Sequence, residues 1–169
     1  QARLLNLTKY AYVLSWALNK VDKPKEKITF LDHGGGHGML SLLAKEYGIG
    51  TVIHEDIYPV SCEDAKKIAT ELNLLADHYI PGDIYHLMKY FKDKNINCDC
   101  IANYDVIEHI YEIDDFLSKL NSLSSNDISI FFATSANGLN PRINFKLKKM
   151  HRYFETKNRK YRFGRKPTD

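Results

Sequence analysis

Apolar and aromatic side chains recur at helical spacing over residues 4–18 (Leu4, Leu7, Tyr10, Ala11, Leu14, Leu18), which predicts an amphipathic helix. After a charged, proline-containing loop at 22–27 the period changes. Short apolar runs at 28–31, 51–53, 78–80, 98–103 and 128–134 predict five strands. Between them, residues 39–47, 61–75 and 113–123 predict helices, residues 84–91 a helix or turn, and residues 144–156 a last, basic helix. Gly48 closes the first of these interstrand helices, and Ser61 with Asp64 three residues on predicts the cap of the next.

Strands that are apolar on both faces and alternate with helices predict an α/β fold, with a parallel sheet covered on each side. Such sheets bind ligands at the carboxyl ends of their strands. Residues 32–38, 55–56, 83 and 104–109 carry the concentrated chemistry, and each group follows a predicted strand. No internal repeat or long linker interrupts the pattern.

Composition narrows the class. A chain of 169 residues with 44% hydrophobic and 27% charged residues is one globular domain rather than a disordered segment. No apolar run approaches the roughly 18 residues that span a bilayer, and the first 19 residues lack the layout of a signal peptide. Three cysteines without a CxxC pair exclude a disulfide framework and predict a reducing, cytoplasmic setting. The net charge of +3 is uneven: residues 146–169 hold 10 Lys and Arg against 2 acids, leaving 14 basic and 19 acidic residues before them. A basic tail interleaved with Tyr153, Phe154, Tyr161 and Phe163 leaves nucleic-acid association open as a second reading. Its plainer reading is a solvated helix face, because no nucleic-acid recognition module is visible.

The segment Asp32-His-Gly-Gly-Gly-His-Gly38 joins the first strand to its helix. It does not satisfy G-x-G-x-x-G, since Met39 or Ser41 falls where the third small residue belongs, and no Lys follows Gly38 as a P-loop requires. It does satisfy Asp-x-Gly-x-Gly-x-Gly, with Asp32, Gly34, Gly36 and Gly38, so the ligand need not carry phosphate. About twenty residues on, Glu55 and Asp56 end the second strand, where an acid accepts both hydroxyls of a ribose. Asp83, after the third strand, is suited to accept from an exocyclic amine, or to form a turn after Gly82. His33 and His37 read as solvent-facing loop histidines.

Over residues 28–136 these motifs, in this order, resemble the class I S-adenosylmethionine-dependent methyltransferases. The run Asp-Cys-Ile-Ala-Asn-Tyr-Asp-Val-Ile-Glu-His at 99–109 resembles the branch containing ubiquinone-biosynthesis O-methyltransferases. The resemblance implies a doubly wound, mostly parallel, Rossmann-like sheet of order 3-2-1-4-5 and S-adenosylmethionine as cofactor. It implies that Asp32, Gly34, Gly36 and Gly38 hold the methionine part, Asp56 the ribose, and Asp83 with Ile84 the adenine, with Tyr104 covering the cofactor. His109 and Asp105 are the expected catalytic groups beside the transferred methyl, with His109 as a base for the acceptor's proton. Some relatives hold a divalent metal at the positions of Asp105, Glu108 and His109. Asp105 is shorter than the Glu of those relatives, so a metal is not favoured here. Asn103-Tyr104 lacks the proline pair of enzymes that methylate base amines, which argues against a base amine and leans towards a hydroxyl or carboxyl acceptor. The leading expectation is a small-molecule acceptor methylated on oxygen, with a nucleic-acid-associated methyltransferase or binding protein that uses the basic tail as the alternative.

The expected organisation is an N-terminal helix and linker covering the site (1–27), a cofactor-binding core (28–145), and a basic C-terminal helix and tail (146–169). Only 33 residues follow Ala136 and none of them reads as a strand, so the family's final antiparallel hairpin is expected to be missing or truncated. Asn137 and Asn140 are candidate acceptor contacts.

Overall fold

Buried side chains on successive strand residues point to opposite faces of one sheet, and this alternation builds two cores. Phe30, Val52, Cys100 and Ala102 face one way, with Val13, Leu14, Ala17, Leu40 and Ala44 of two helices. Leu31, Ile53, Ile80 and Ile101 face the other way, with Leu87, Phe91, Phe116 and Leu120 of two more. Burying each large side chain contributes about 1.5–3 kcal/mol, so adjacent residues such as Phe30 and Leu31 are both held inside. A computed structural model describes residues 2–124 and 126–134, together with positions 145 and 149.

The elements are α1 (Ala2–Leu18), β1 (Thr29–His33), α2 (Met39–Tyr47), β2 (Thr51–Asp56), α3 (Pro59–Leu72), β3 (His78–Pro81), α4 (Ile84–Lys94), β4 (Cys100–Tyr104), α5 (Ile113–Asn121) and β5 (Ser129–Ala133). The strands form one sheet of order β3-β2-β1-β4-β5. All four pairings are parallel, with Phe30 opposite both Val52 and Cys100. The order reverses between β1 and β4, and there the carboxyl ends of an open parallel sheet leave a crevice. The helix α1 packs on β4, β5 and α2. Contacts divide the chain into two units, Gln1–Thr134 and Ser135–Asp169. The helix expected at 144–156, the basic tail, Asn137 and Asn140 lie outside the described residues, apart from positions 145 and 149.

Several boundaries differ from the sequence pattern, among them that of β1, which runs to His33. The strand β2 runs to Asp56 rather than Ile53, because His54, Glu55 and Asp56 are buried and paired although polar. The helix α3 starts at Pro59, not after Ser61, and Tyr58 at its cap position makes no side-chain capping bond. Proline suits that first position because its fixed φ is helical and its missing N–H would go unbonded anyway. Cys98 precedes β4, where its N–H donates to Leu123 O at 3.1 Å. Among the described residues no helix is long and apolar enough to cross a membrane.

Candidate active site

The strand β1 ends in Asp32 and His33, the chain turns through residues 34–38, and α2 begins at Met39. The turn's φ is +65° at Gly34 and +54° at Gly36, a left-handed backbone that costs other residues about 1–2 kcal/mol. Its N–H groups are engaged by neighbouring acids and carbonyls. Gly34 N–H donates to Glu55 Oε2 (3.3 Å), Gly36 N–H to Asp56 Oδ2 (2.9 Å), and Ser41 N–H, in the first turn of α2, to Asp32 Oδ2 (3.0 Å). Gly35 N–H donates to the carbonyl of Glu55 at 2.9 Å. The turn therefore presents a carboxylate-lined rim and not an array of open donors awaiting an anion.

Two histidine–acid pairs cross from β1 to β2 in register. Asp32 stands opposite His54 and His33 opposite Glu55, so one pair faces each core. All four side chains are buried. Ser41 Oγ donates to Asp32 Oδ2 at 2.7 Å and lies 3.2 Å from His54 Nδ1. The imidazole of His33 lies against the Glu55 carboxylate and, at 5.3 Å between centroids, against the ring of Phe116. His33 is thus not the solvent-facing histidine that its place in a glycine-rich loop predicts, whereas His37 is exposed. His54 and Ser41 carried no sequence signal beyond lying next to the motif.

Above the turn is a cavity of about 150 Å³, lined among others by Tyr10, Asp32, Gly34, Gly36, His37 and Tyr104. It is smaller than the roughly 300–1,000 Å³ that encloses a drug-sized ligand, so it suits one end of a longer molecule lying along the strand ends. A Cβ on Gly36 would meet nothing within 4 Å, while one on Gly34 would lie 2.5 Å from Val106 Cγ2. The turn thus packs tightly against the segment after β4 and opens at Gly36. Tyr10 of α1 packs against Tyr104 at 5.0 Å between centroids. Burial first, then the fields of Tyr104, Asp32 and Asp105, push the Tyr10 phenol above its ordinary pKa and keep its proton in place. Tyr10 escaped the sequence reading because its helical spacing marks it as core.

The remaining predicted residues lie along the same edge. Asp56 Oδ1 accepts Tyr58 N–H at 2.9 Å, and the Asp56 carbonyl accepts Gly82 N–H at 3.0 Å, drawing the residues after β3 toward the end of β2. Asp83 caps α4, accepting the N–H of Tyr85 and of His86 at 3.1 Å each, with His86 Nδ1 at 2.6 Å. The His86 ring, followed by these N–H groups, holds the Asp83 carboxyl below its usual pKa. Ile84 is partly buried against the second core. Asp105 has a φ of +58°, and its N–H donates to Ala133 O at 2.8 Å. A short turn, Ile107–His109, follows, with Glu108 and His109 exposed. The lining of the small cavity takes in Tyr104 but not Asp105, Glu108 or His109. Among the described residues no group of three His, Cys, Asp or Glu is placed to hold a metal ion.

Larger clefts occur between α1 and α2 (about 560 Å³) and between the end of α4 and the end of α5 (about 730 Å³). The first is walled by α1, α2 and Asn19, and the second includes Ile96 and Asn97 on the amino side of β4. Neither is at the carboxyl ends where open parallel sheets bind ligands.

Comparison with known proteins agrees with this fold. Residues 31–127, more than half of the chain, match the family described as methyltransferase domain. A ubiquinone biosynthesis O-methyltransferase of Pelagibacter ubique (strain HTCC1062) is 29% identical over 122 residues, which are 72% of this chain and 48% of that protein. The chain thus spans about half the length of this curated relative. Magnesium protoporphyrin IX methyltransferase from Synechocystis PCC 6803, solved with bound S-adenosylhomocysteine, superposes with a TM-score of 0.62 at 18% identity, covering 88% of this chain and 64% of that one. A putative S-adenosylmethionine-dependent methyltransferase from Methanococcus maripaludis gives a TM-score of 0.61 at 16% identity, covering 89% and 68%. With the motif order, the strand order and the family match in agreement, the chain belongs to the methyltransferase domain family and has the class I S-adenosylmethionine-dependent methyltransferase fold.

Proposed function

We propose that this chain binds S-adenosylmethionine along the carboxyl edge of β3, β2, β1 and β4 and catalyses methyl transfer to an oxygen of a small molecule. The observation that carries this reading is the chemistry of the rim. Asp32, Glu55 and Asp56 engage donors in and beside the turn, and two tyrosines stand over the opening. Such a rim suits a ligand end bearing positive charge and ribose hydroxyls, and it opposes a pyrophosphate. The cofactor, when bound, supplies an electrophilic methyl on a sulfonium centre.

The chain's own residues have distinct tasks. Gly36 leaves open space for a close approach, with Gly34 and Gly38 shaping the same turn and Asp32 beside it. A carboxylate has about four acceptor sites, so Asp56 keeps capacity for two hydroxyls beyond the N–H groups of Gly36 and Tyr58. Asp83 and Ile84 flank the adenine, and Tyr10 with Tyr104 excludes water from the reacting end. Asp105 and His109, after β4, meet the acceptor, and His109 takes its proton. Alignment of acceptor and methyl is the main source of rate. The absence of a proline pair after Asn103 and the likeness to a ubiquinone-pathway O-methyltransferase support oxygen as the target.

Calorimetry with S-adenosylmethionine and S-adenosylhomocysteine tests the first half. Transfer of a labelled methyl group to matched phenols, carboxylic acids and amines tests the second. Absence of cofactor binding by folded protein overturns the proposal, and transfer to amines alone overturns the choice of oxygen.

A further inference from the structure

Beside the adenine side of this edge is a histidine that the motifs do not include. Three donors converge on one oxygen of Asp83: the N–H of Tyr85, the N–H of His86 and the His86 ring, whose Nδ1 is 2.6 Å from Oδ1. The second carboxylate oxygen is outside this set. The ring is also held against the backbone. A Cβ on Gly82 would fall 2.7–3.0 Å from His86 Cγ, Cβ and Nδ1, and Gly82 N–H donates to the carbonyl of Asp56. His86 therefore sits against Gly82, which is bonded to the proposed ribose acid and directly precedes the proposed adenine acid. Its side chain is 68% exposed and that of Asp83 46%, so both are reachable by a ligand from solvent.

We propose that His86 is a positioning residue for purine recognition: it fixes the rotamer of Asp83 so that the free carboxylate oxygen accepts from the 6-amino group of adenine. This deepens the reading above and rests on it. The physical argument is rotameric. Without the ring, two backbone N–H groups hold Oδ1 and the carboxylate plane can swing about χ2, which is a soft torsion for Asp, so the direction of the other oxygen is loosely set. With the ring, a third and shorter contact selects one arrangement. A carboxylate so placed favours a purine with an amino group and opposes one with a carbonyl at the same position, because an acceptor then faces an acceptor.

The test is calorimetric binding of S-adenosylhomocysteine and its hypoxanthine counterpart, S-inosylhomocysteine, to wild type, His86→Ala, His86→Gln and Asp83→Asn. Wild type should prefer the adenine ligand. His86→Ala should lose about three- to tenfold in affinity for that ligand, the worth of one hydrogen bond, with little change for the hypoxanthine ligand. His86→Gln retains a side-chain donor and should recover much of the preference, while Asp83→Asn should abolish it. Unchanged affinities in His86→Ala overturn the proposal. So does an equal loss for both ligands without rescue by Gln, which would mark a helix-capping role only. Equal binding of the two ligands by wild type overturns it as well. If wild type binds neither ligand, the cofactor reading itself fails, a result distinct from all of these.

Discussion

Asp56 Oδ2 accepts the backbone N–H of Gly36 at 2.9 Å, tying the end of β2 to the midpoint of the glycine turn. The same carboxylate holds Tyr58 N–H through its other oxygen, so one side chain sets both the turn and the entry to α3. Replacing Asp56 by Ala should weaken S-adenosylhomocysteine binding by about 1.5–3 kcal/mol, the range for hydrogen bonds to a charged group. Glu55→Ala should act mainly on stability. Calorimetry on both variants, with thermal melts as the control, checks the assignment. A loss of affinity with Glu55→Ala and none with Asp56→Ala would reverse it.

Gly36 offers a second handle on the same contact. Its left-handed φ makes Gly36→Ala cost about 1–2 kcal/mol of stability. The Cβ meets no protein atom, so folding survives and the methyl projects into open space. Gly36→Val should keep a cooperative melt yet bind cofactor far more weakly. Equal binding by wild type and the Val variant would show that the ligand does not approach this turn.

The two buried histidine–acid pairs predict a different outcome for Glu55. Removing one partner of a buried pair costs about 3–5 kcal/mol because the other is left uncompensated. Glu55→Ala should lower the unfolding free energy measured in urea by that scale, and Glu55→Gln, which keeps an acceptor for Gly34 N–H, should cost less. Equal stabilities for the two variants would show that the acceptor for Gly34 N–H contributes nothing.

The alternation of strands and helices was legible in the apolar runs, and the strand order came from the family resemblance; because each motif follows such a run, an open parallel sheet places the candidate site residues at one edge. What escaped was held by pairing rather than by apolarity. His54 and Glu55 end the apolar run in sequence, yet they continue β2 because Asp32 and Ser41 face His54 Nδ1 and because His33 and Gly34 partner the Glu55 carboxylate. Tyr10 belongs to the amphipathic stripe of α1, and no pattern tells a tyrosine that roofs a cavity from one that fills a core. His86, three residues after a capping acid, has the spacing of an ordinary surface pair. Only the clash it would make with a side chain at Gly82 reveals that it is seated.

The cysteines give a chemical check on the core. Burial pushes the Cys62 thiol up to about 11 and the Cys100 thiol up to about 12, and raises Cys98 as well. All three are buried and free. At pH 8 the reactive thiolate is therefore scarce in the folded protein, and an aromatic disulfide reagent should titrate them only as the protein unfolds in urea. A thiol that reacts within seconds in native buffer would place one of them at the surface.

The last prediction separates two uses of the segment after β4. Asp105 adopts a left-handed backbone at φ +58°, a conformation uncommon outside glycine, and the turn Ile107–His109 follows it with Glu108 and His109 exposed. Strain of this kind is kept where the surrounding structure enforces it, as at sites that orient a reacting group. With His109 as the proton acceptor and no metal, His109→Ala should lower methyl transfer by roughly 10²–10⁴-fold, the usual contribution of general base catalysis. Binding of S-adenosylhomocysteine should stay near the wild-type value. A chelator should leave the rate unchanged, and Glu108→Ala should cost far less than His109→Ala. If instead the chelator abolishes turnover, added Mg²⁺ restores it, and Glu108→Ala is as damaging as His109→Ala, the two side chains share an ion with Asp105. The acceptor would then be activated by that ion rather than by the imidazole.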